Sequence, residues 1–488
     1  MAGPLPLSLP SSAEVLPELP EGVGEGGSDP LESGQPRGTL VIGGGPAGLF
    51  AAVRLANSLR GQGGAGGSPA WPVKVLERMR RPGRKLLVSG SGRCNIAHDA
   101  QVDELLGHYG GGGKPGSAAR FLRPALTALD SQALLAWFEA RGLSFTTELN
   151  GKVFPSSGRA SDVLAALLGE AASLGVEIIT GRRALAVTAL TGGGFLVEAG
   201  PEARPAAGPV PEPAPSGGSD MMTINTILLA TGGITWPVTG SSGDGHALAA
   251  SLGHPLVRPR PALAAVYVHA WELSGLSGLS FRDAGLVLRR GGKRVCERSG
   301  DLLITHEGLS GPLVLDLSRD IEKGELLEIR FPWEGIAKGS SQGRATLEFA
   351  ALFDDAVLRA PRLHVRTALS SGGLPRALSQ YLCEKVGLSD EATLASLSRA
   401  SRRELARLVT AFPLTVCALG GVETAMVTAG GLDLGSVKSA TMESRLVSGL
   451  FFAGEILDYD GDTGGYNLHA AFATGALAAA AIVEKTLR

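Results

Sequence analysis

The stretch GTLVIGGGPAGLFAAVRLANSLR, residues 38–60, limits this chain's possible folds more than any other. GTLVIGG (38–44) is a short, apolar, β-branched run ending in glycine, and it reads as a buried strand. PAGLFAAVRLANSLR (46–60) reads as a helix, with Pro46 at an early position where its missing N–H costs nothing. The turn between them holds Gly43-x-Gly45-x-x-Gly48. The bare pattern says little in a chain with 70 glycines, and it also matches from Gly22, Gly61 and Gly111. Those three copies are expected in tail or linker, with no strand before them and no helix after. Only the Gly43 copy has a setting that gives its glycines a task. They would allow a tight turn, let a pyrophosphate approach the backbone, and let helix pack on strand. VKVLE (73–77) follows as a second strand, so the chain opens with a βαβ unit and a parallel sheet. Glu77 ends that strand, where a carboxylate can accept both hydroxyls of an adenosine ribose. An acid there fits FAD or NAD and disfavours a 2′-phosphate.

At 488 residues the chain is too long for one ordinary core, and two or three domains are expected. Helical periodicity marks 131–142 and 160–175, and three strands follow across 176–200. TINTILLATGG (223–233) returns as an apolar strand ending at glycines. From 256 to 335 the pattern alternates and turns often, which predicts mostly β structure, and 340–410 reads as helical. GLFFAGE (449–455) is again a core strand, and 466–487 is the final helix. The first and last thirds share one character. The simplest organisation is a discontinuous α/β domain, 37–255 with 428–488, interrupted by an insert at 256–427. Residues 1–36 carry six acidic residues and no Lys or Arg, and read as a disordered tail rather than a signal or transit peptide. The glycine-rich 61–72 reads as a flexible insertion, and the Pro/Ala-rich 201–220 as an exposed loop or hairpin extension.

Several classes are disfavoured. Formal net charge is −2, and the basic stretches RMRRPGRK (78–85) and RRGGKRVCER (289–298) lack interleaved aromatics, so a nucleic-acid partner is not expected. The longest apolar run, 468–483, is short for a membrane span, and a soluble cytoplasmic protein is expected. Cys94, Cys296, Cys383 and Cys417 are far apart with no CxxC pair, which suggests neither a disulfide framework nor a metal site.

Two stretches remain. RRPGRKLLVSGSGRCN (80–95) is either a solvated basic loop or a set of small donors for the polar edge of a planar ring, and its composition suits both. TGGYNLHAAFATG (463–475) opens a helix whose first backbone N–H groups are bare. No Lys or Arg stands nearby, only Asp458, Asp460 and Asp462. Such an end attracts negative charge.

Five blocks, in this order, resemble the YhiN/BaiN-type flavoproteins, the aminoacetone-oxidase-family FAD-binding enzymes. They are VIGGGPAGL, GRKLLVSGSGRCN, LLATGGITWPVTGSSGDGHALAASLGH, LITHEGLSGPLVLDLS and TMESRLVSGLFFAGEILDYDGDTGGYNLHAAFATG. The resemblance implies FAD in a discontinuous, glutathione-reductase-like Rossmann domain with an inserted β-barrel-like and helical region. It implies Gly43, Gly45 and Gly48 at the pyrophosphate, Ala47 among the same cofactor contacts, and Glu77 at the ribose. Lys85, Ser89, Arg93, Cys94 and Asn95 would fall near the flavin, and Ala184 would meet the adenine through its backbone. Thr231 and Gly232 would close over the cofactor. Gly454, Glu455 and Asp458 would lie along the ribityl chain, and Gly465, Tyr466, Asn467 and Leu468 at the pyrimidine edge. The bare helix start would then face the N1/C2=O edge of the flavin and favour its reduced form by up to about 1–2 kcal/mol. That corresponds to roughly 20–40 mV for a two-electron couple.

The implied activity is hydride transfer between flavin N5 and a small or flat organic substrate. The resemblance leaves open C=C reduction or amine oxidation, as of aminoacetone, and leaves NAD(P)H open as electron donor. His306, in THEGLSGP, is either the proton-transfer group or a structural loop histidine. Cys94 has no partner for a flavin-linked disulfide and is expected to pack. The alternative class is an FAD-containing RNA-modifying or RNA-binding protein, motivated by the two basic stretches.

Overall fold

Strands buried on both faces read as short apolar runs, and three of the five strands of the central sheet, Thr39–Ile42, Thr226–Leu229 and Leu450–Phe452, are buried along their whole length. Thr39–Ile42 (β1), Val73–Glu77 (β2), Glu177–Thr180 (β3), Thr226–Leu229 (β4) and Leu450–Phe452 (β5) form one sheet in the order β5-β4-β1-β2-β3. Every pairing is parallel, with Val41 opposite both Val75 and Leu228. This is the doubly wound order, and its direction reverses between β1 and β4. The computed structural model describes residues 38–60, 71–201, 218–337 and 339–488. The tail at 1–36, most of the 61–72 insertion and most of the 201–220 loop lie outside the described residues.

Pro46–Leu59 (α1), Ser117–Ala128 (α2), Ala160–Ser173 (α3) and Tyr466–Leu487 (α4) pack around this sheet. α4 lies against both α1 and α2. Small residues let it come close: a Cβ built on Gly475 would stand 2.5 Å from the Ala47 carbonyl oxygen. By length and composition α4 could cross a membrane, yet 67% of its most apolar window is buried within the fold. Packing against α1 and α2 accounts for its apolar character. The four cysteines are free thiols.

α2 escaped the sequence reading because Pro124 interrupts an otherwise helical pattern. It also overturns one expectation. The Gly111 copy of GxGxxG does stand between a strand, Tyr109–Gly111, and a helix, α2. That strand is three residues long and pairs antiparallel with Tyr459–Gly461, so it opens no parallel crossover. Gly111 serves a close backbone approach instead, for a Cβ there would lie 2.4 Å from the Asp458 carbonyl oxygen. Within 80–95, Arg84–Val88 forms a short helix rather than loop.

The described residues fall into two compact units. Unit one runs to Arg260 and resumes at Val422–Arg488, and unit two is Pro261–Gly421. In unit two, six strands close into a barrel: Val266–Val268, Gly308–Ser310, Lys293–Ile304, Ser280–Arg290, Leu326–Arg330 and Phe412–Leu419. Four longer helical segments accompany it, Gln342–Arg359, Val365–Ser371, Arg376–Lys385 and Arg399–Thr410.

Glu443 fastens the far end of α4. Its carboxylate accepts from Lys438 at 2.8 Å and from Lys485 at 2.5 Å. Burial works to raise its pKa, but the two ammonium groups and the Gly449 N–H pull it down to about 2. A carboxyl depressed on folding adds stability at pH values above its unfolded pKa. That contribution is lost as pH falls from about 4.5 to about 2. E443Q is therefore expected to flatten the pH dependence of the urea midpoint in that window and to leave its shape unchanged above pH 6.

Candidate functional site

In a doubly wound sheet a ligand lies outside the carboxyl ends of the strands, at the reversal of order. Three of the expected glycine turns follow strands of this sheet. β1 runs into Gly43–Gly48, β2 ends on Glu77, β4 runs into Thr231 and Gly232, and β5 runs into Gly454 and Glu455. Segments hundreds of residues apart in sequence thus share one sheet edge. Gly43 (φ +112°) could not carry a side chain, because its Cβ would stand 2.4 Å from the Ala230 carbonyl oxygen. A Cβ on Gly48 would stand 2.0 Å from the Gly43 carbonyl oxygen. Gly45 differs: nothing lies within 4 Å of where its Cβ would be. It is the N-cap of α1, and no side chain caps that end.

Glu77 is already engaged with backbone. Its Oε2 accepts from Gly44 N–H at 2.7 Å and its Oε1 from Met79 N–H at 2.8 Å. The carboxylate therefore shapes the glycine turn, whatever else it binds. Beside it, Asp244 accepts from Arg78 Nη1 at 2.9 Å and from Arg183 Nη2 at 2.8 Å. A cavity of about 520 Å³ opens next to this cluster, bordered by Arg183, Ala184, Val187, Asp244 and Leu248. Ala184 thus stands at a cavity wall, as an adenine contact requires. The sequence reading passed over Asp244, although it lies in the quoted SGDGHA segment.

Lys85 and Glu455 find each other across 370 residues. Lys85 Nζ donates to Glu455 Oε2 at 2.7 Å and to Thr235 Oγ1 at 2.9 Å. Glu455 Oε1 also accepts from Thr428 N–H at 2.8 Å and from the Thr235 hydroxyl at 3.2 Å. The ammonium is consequently neutralised by a carboxylate. Thr235 and Thr428 were missed. Thr235 lies within a quoted block, but nothing in the sequence marks Thr428.

The 89–95 turn is partly exposed and is fixed by contacts within the protein. The Ser89 hydroxyl donates to the Leu86 carbonyl at 2.6 Å. Arg93 lies over the Phe154 ring at 3.9 Å and pairs with Glu148 at 2.8 Å. Cys94 is fully buried, and burial pushes its thiol up to about 12, so it is no nucleophile. The Asn95 amide, oriented to suit its neighbours, donates to the Ala97 and Val153 carbonyls and accepts from Gly465 N–H at 3.2 Å. Asn95 therefore ties this turn to the start of α4.

At that start, His469 N–H is bonded to the Gly465 carbonyl at 3.0 Å, and no side chain caps the helix. The Asn467 side chain bonds both backbone groups of Gly461 at 2.8 Å. The Tyr466 ring is buried and stacks on His108 (4.4 Å between centroids) and His98 (4.9 Å). His108 Nδ1 lies 3.0 Å from Asp462 Oδ2. Burial lowers the His98 pKa. The Tyr466 ring and the Asn467 amide are thus already engaged by protein groups. Asp458 is buried, accepts from Gly112 N–H at 2.9 Å, and has its pKa raised by burial. His306 stands exposed in unit two, in the turn between Lys293–Ile304 and Gly308–Ser310. Among the described residues no cluster of His, Cys, Asp and Glu could hold a metal ion.

A dinucleotide fits what is present. The uncapped α1 terminus faces open space at Gly45. The Thr231 hydroxyl is buried without a hydrogen-bond partner. Ala184 borders a cavity. A Rossmann sheet with such an edge defines a dinucleotide-binding protein, and comparison with known proteins makes the class an FAD-dependent oxidoreductase. The chain matches the HI0933-like protein Rossmann domain over residues 37–481 and belongs to that family, the YhiN/BaiN-type flavoproteins. It is 31% identical to the 3-dehydro-bile acid delta(4,6)-reductase of Clostridium scindens, over 91% of this chain and 98% of that one. It is 26% identical to the ribosomal RNA dihydrouridine synthase of Haemophilus influenzae, over 89% and 96%. Among solved structures, the open conformation of a flavocytochrome c3 fumarate reductase aligns with a TM-score of 0.47 and 15% identity, covering 93% of this chain and 79% of that chain.

Proposed function

We propose that this protein uses FAD to reduce a carbon–carbon double bond conjugated to a carbonyl in a small, flat organic substrate, with NAD(P)H as electron donor. The observation that carries the reading is the shared sheet edge, in a chain whose 31%-identical relative is named a 3-dehydro-bile acid delta(4,6)-reductase. FAD, when bound, supplies hydride transfer at N5. The chain's own part is to bind and orient. Gly43, Gly45, Ala47 and Gly48 would hold the pyrophosphate on the α1 terminus, with Glu77 at the ribose and Ala184 at the adenine. Thr231, Gly232, Gly454, Glu455 and Asp458 would line the middle of the cofactor. Lys85, Ser89, Arg93, Cys94 and Asn95 would shape the flavin side, Lys85 through Glu455, Arg93 through Glu148 and Asn95 through the start of α4. The backbone amides of Gly465, Tyr466, Asn467 and Leu468 would serve the pyrimidine edge. Reduction needs one hydride and one proton, and His306 is the proposed proton donor.

The dihydrouridine-synthase relative favours a second reading, in which the double bond belongs to a uracil in RNA. One experiment separates the readings. The yellow protein is bleached anaerobically with NADH or NADPH, and acceptors are then added. A 3-oxo-4,6-diene acid is expected to restore the colour within seconds and to be recovered with one double bond saturated. Recovery of colour with an RNA transcript alone would favour the second reading. Bleaching by aminoacetone, with no response to either acceptor, would sink the first.

A further inference from the structure

Within unit two, Arg330 is only 3% exposed. On the neighbouring strand it stands opposite Gly285, and Gly285 stands opposite Ser299 on the strand beyond. The guanidinium lies across Gly285: a Cβ there would be 2.6 Å from Nε and 3.0 Å from Nη2. Nη2 donates to Ser299 Oγ at 2.9 Å. Among the described residues that is the side chain's one hydrogen bond, and Nε is buried with no partner. Other arginines of the same barrel are treated differently. Arg289 pairs with Glu328 at 2.7 Å, and Arg290 pairs with Glu325. Among the described residues no carboxylate is paired with Arg330.

A guanidinium cannot shed its charge, and burying it without a counter-ion is strongly unfavourable. The fold bears that cost at one position and spares a strand glycine to make room for it. We propose that Arg330, with Ser299, anchors an anion-binding site in unit two, and that its ligand is the carboxylate of an organic acid. The planar fork suits a carboxylate held by two parallel N–H···O bonds. One uncompensated positive charge matches a monoanion, whereas a phosphate dianion calls for a second cation.

The test uses the full-length, FAD-loaded protein at fixed ionic strength, with sodium acetate replacing sodium chloride. Acetate is expected to raise the wild-type unfolding temperature saturably, by about 2–4 °C, the shift typical of a stabilisation near 1 kcal/mol in a unit of this size. R330M should show no such shift and should unfold at the same or a higher temperature without acetate. G285A, which keeps the arginine but crowds its Nε edge, should also lose the response. No acetate effect in the wild type, or an equal effect in all three proteins, would overturn the proposal. A second arm identifies the source of the carboxylate. If it belongs to the substrate, R330M will raise KM at least tenfold for an acid substrate but not for its methyl ester. If it is a separate effector, R330M will leave both KM values alone while acetate binding is still lost. The acetate arm needs no turnover, so it stands or falls independently of the proposed reduction.

Discussion

Gly45→Val is expected to give a folded, colourless protein. Gly45 has ordinary backbone geometry, with φ −81° and ψ −177°, and nothing lies within 4 Å of its missing Cβ. A valine there therefore disturbs little of the apo fold. It would instead fill the space in front of the α1 terminus, where a pyrophosphate needs bare N–H groups. FAD affinity should fall by roughly a hundredfold or more, equivalent to about 2.7 kcal/mol. The urea midpoint of the apoprotein should match wild-type apoprotein. Gly48→Ala makes the contrast, since its Cβ would stand 2.0 Å from the Gly43 carbonyl oxygen. That variant should lose both colour and fold. The pair separates a glycine needed by the ligand from one needed by the chain. If Gly45→Val protein stays yellow after dialysis, the cofactor lies elsewhere.

Glu455→Leu should destabilise the sheet edge without abolishing the fold. It removes the acceptor for Lys85, for Thr235 and for Thr428 N–H at one stroke. The pair is partly buried, with 23% and 20% of the two side chains exposed. The cost should therefore lie between surface and buried pairs, at about 2 kcal/mol. Lys85→Met should cost less, because Glu455 keeps its neutral donors. The double variant should cost less than the sum, as expected for residues sharing one interaction. Equilibrium unfolding in urea measures all three. Additive effects would mean that the pair is not coupled in solution.

The sequence made the sheet edge readable and left the network around it hidden. The strand–turn–helix at 38–60 could be read because buried parallel strands and glycine turns leave local marks, and the glycines kept their places at the sheet's carboxyl edge. The partners of those residues could not be read, since Thr428 and His108 meet Glu455 and Tyr466 only through tertiary contact. The same limit explains the Gly111 copy of the motif. Its strand and helix are real, but only pairing shows that the strand is antiparallel. Arg93 and Lys85 lie in a stretch that reads equally as a solvated basic loop or as ring-edge donors, because their carboxylate partners Glu148 and Glu455 stand 55 and 370 residues away.

The central sheet opens near residue 39, yet its β5 edge arrives at 450 and α4, which packs on α1, begins at 466. A ribosome delivers β1 and α1 long before the pieces that complete the crevice. During that interval α1 must wait with an apolar flank uncovered, and no pyrophosphate can yet be enclosed. Loading of cofactor is thus set to await synthesis of the Tyr466–Leu487 helix, and chains cut short before 466 should be recovered as clients of chaperones rather than as weakened enzymes.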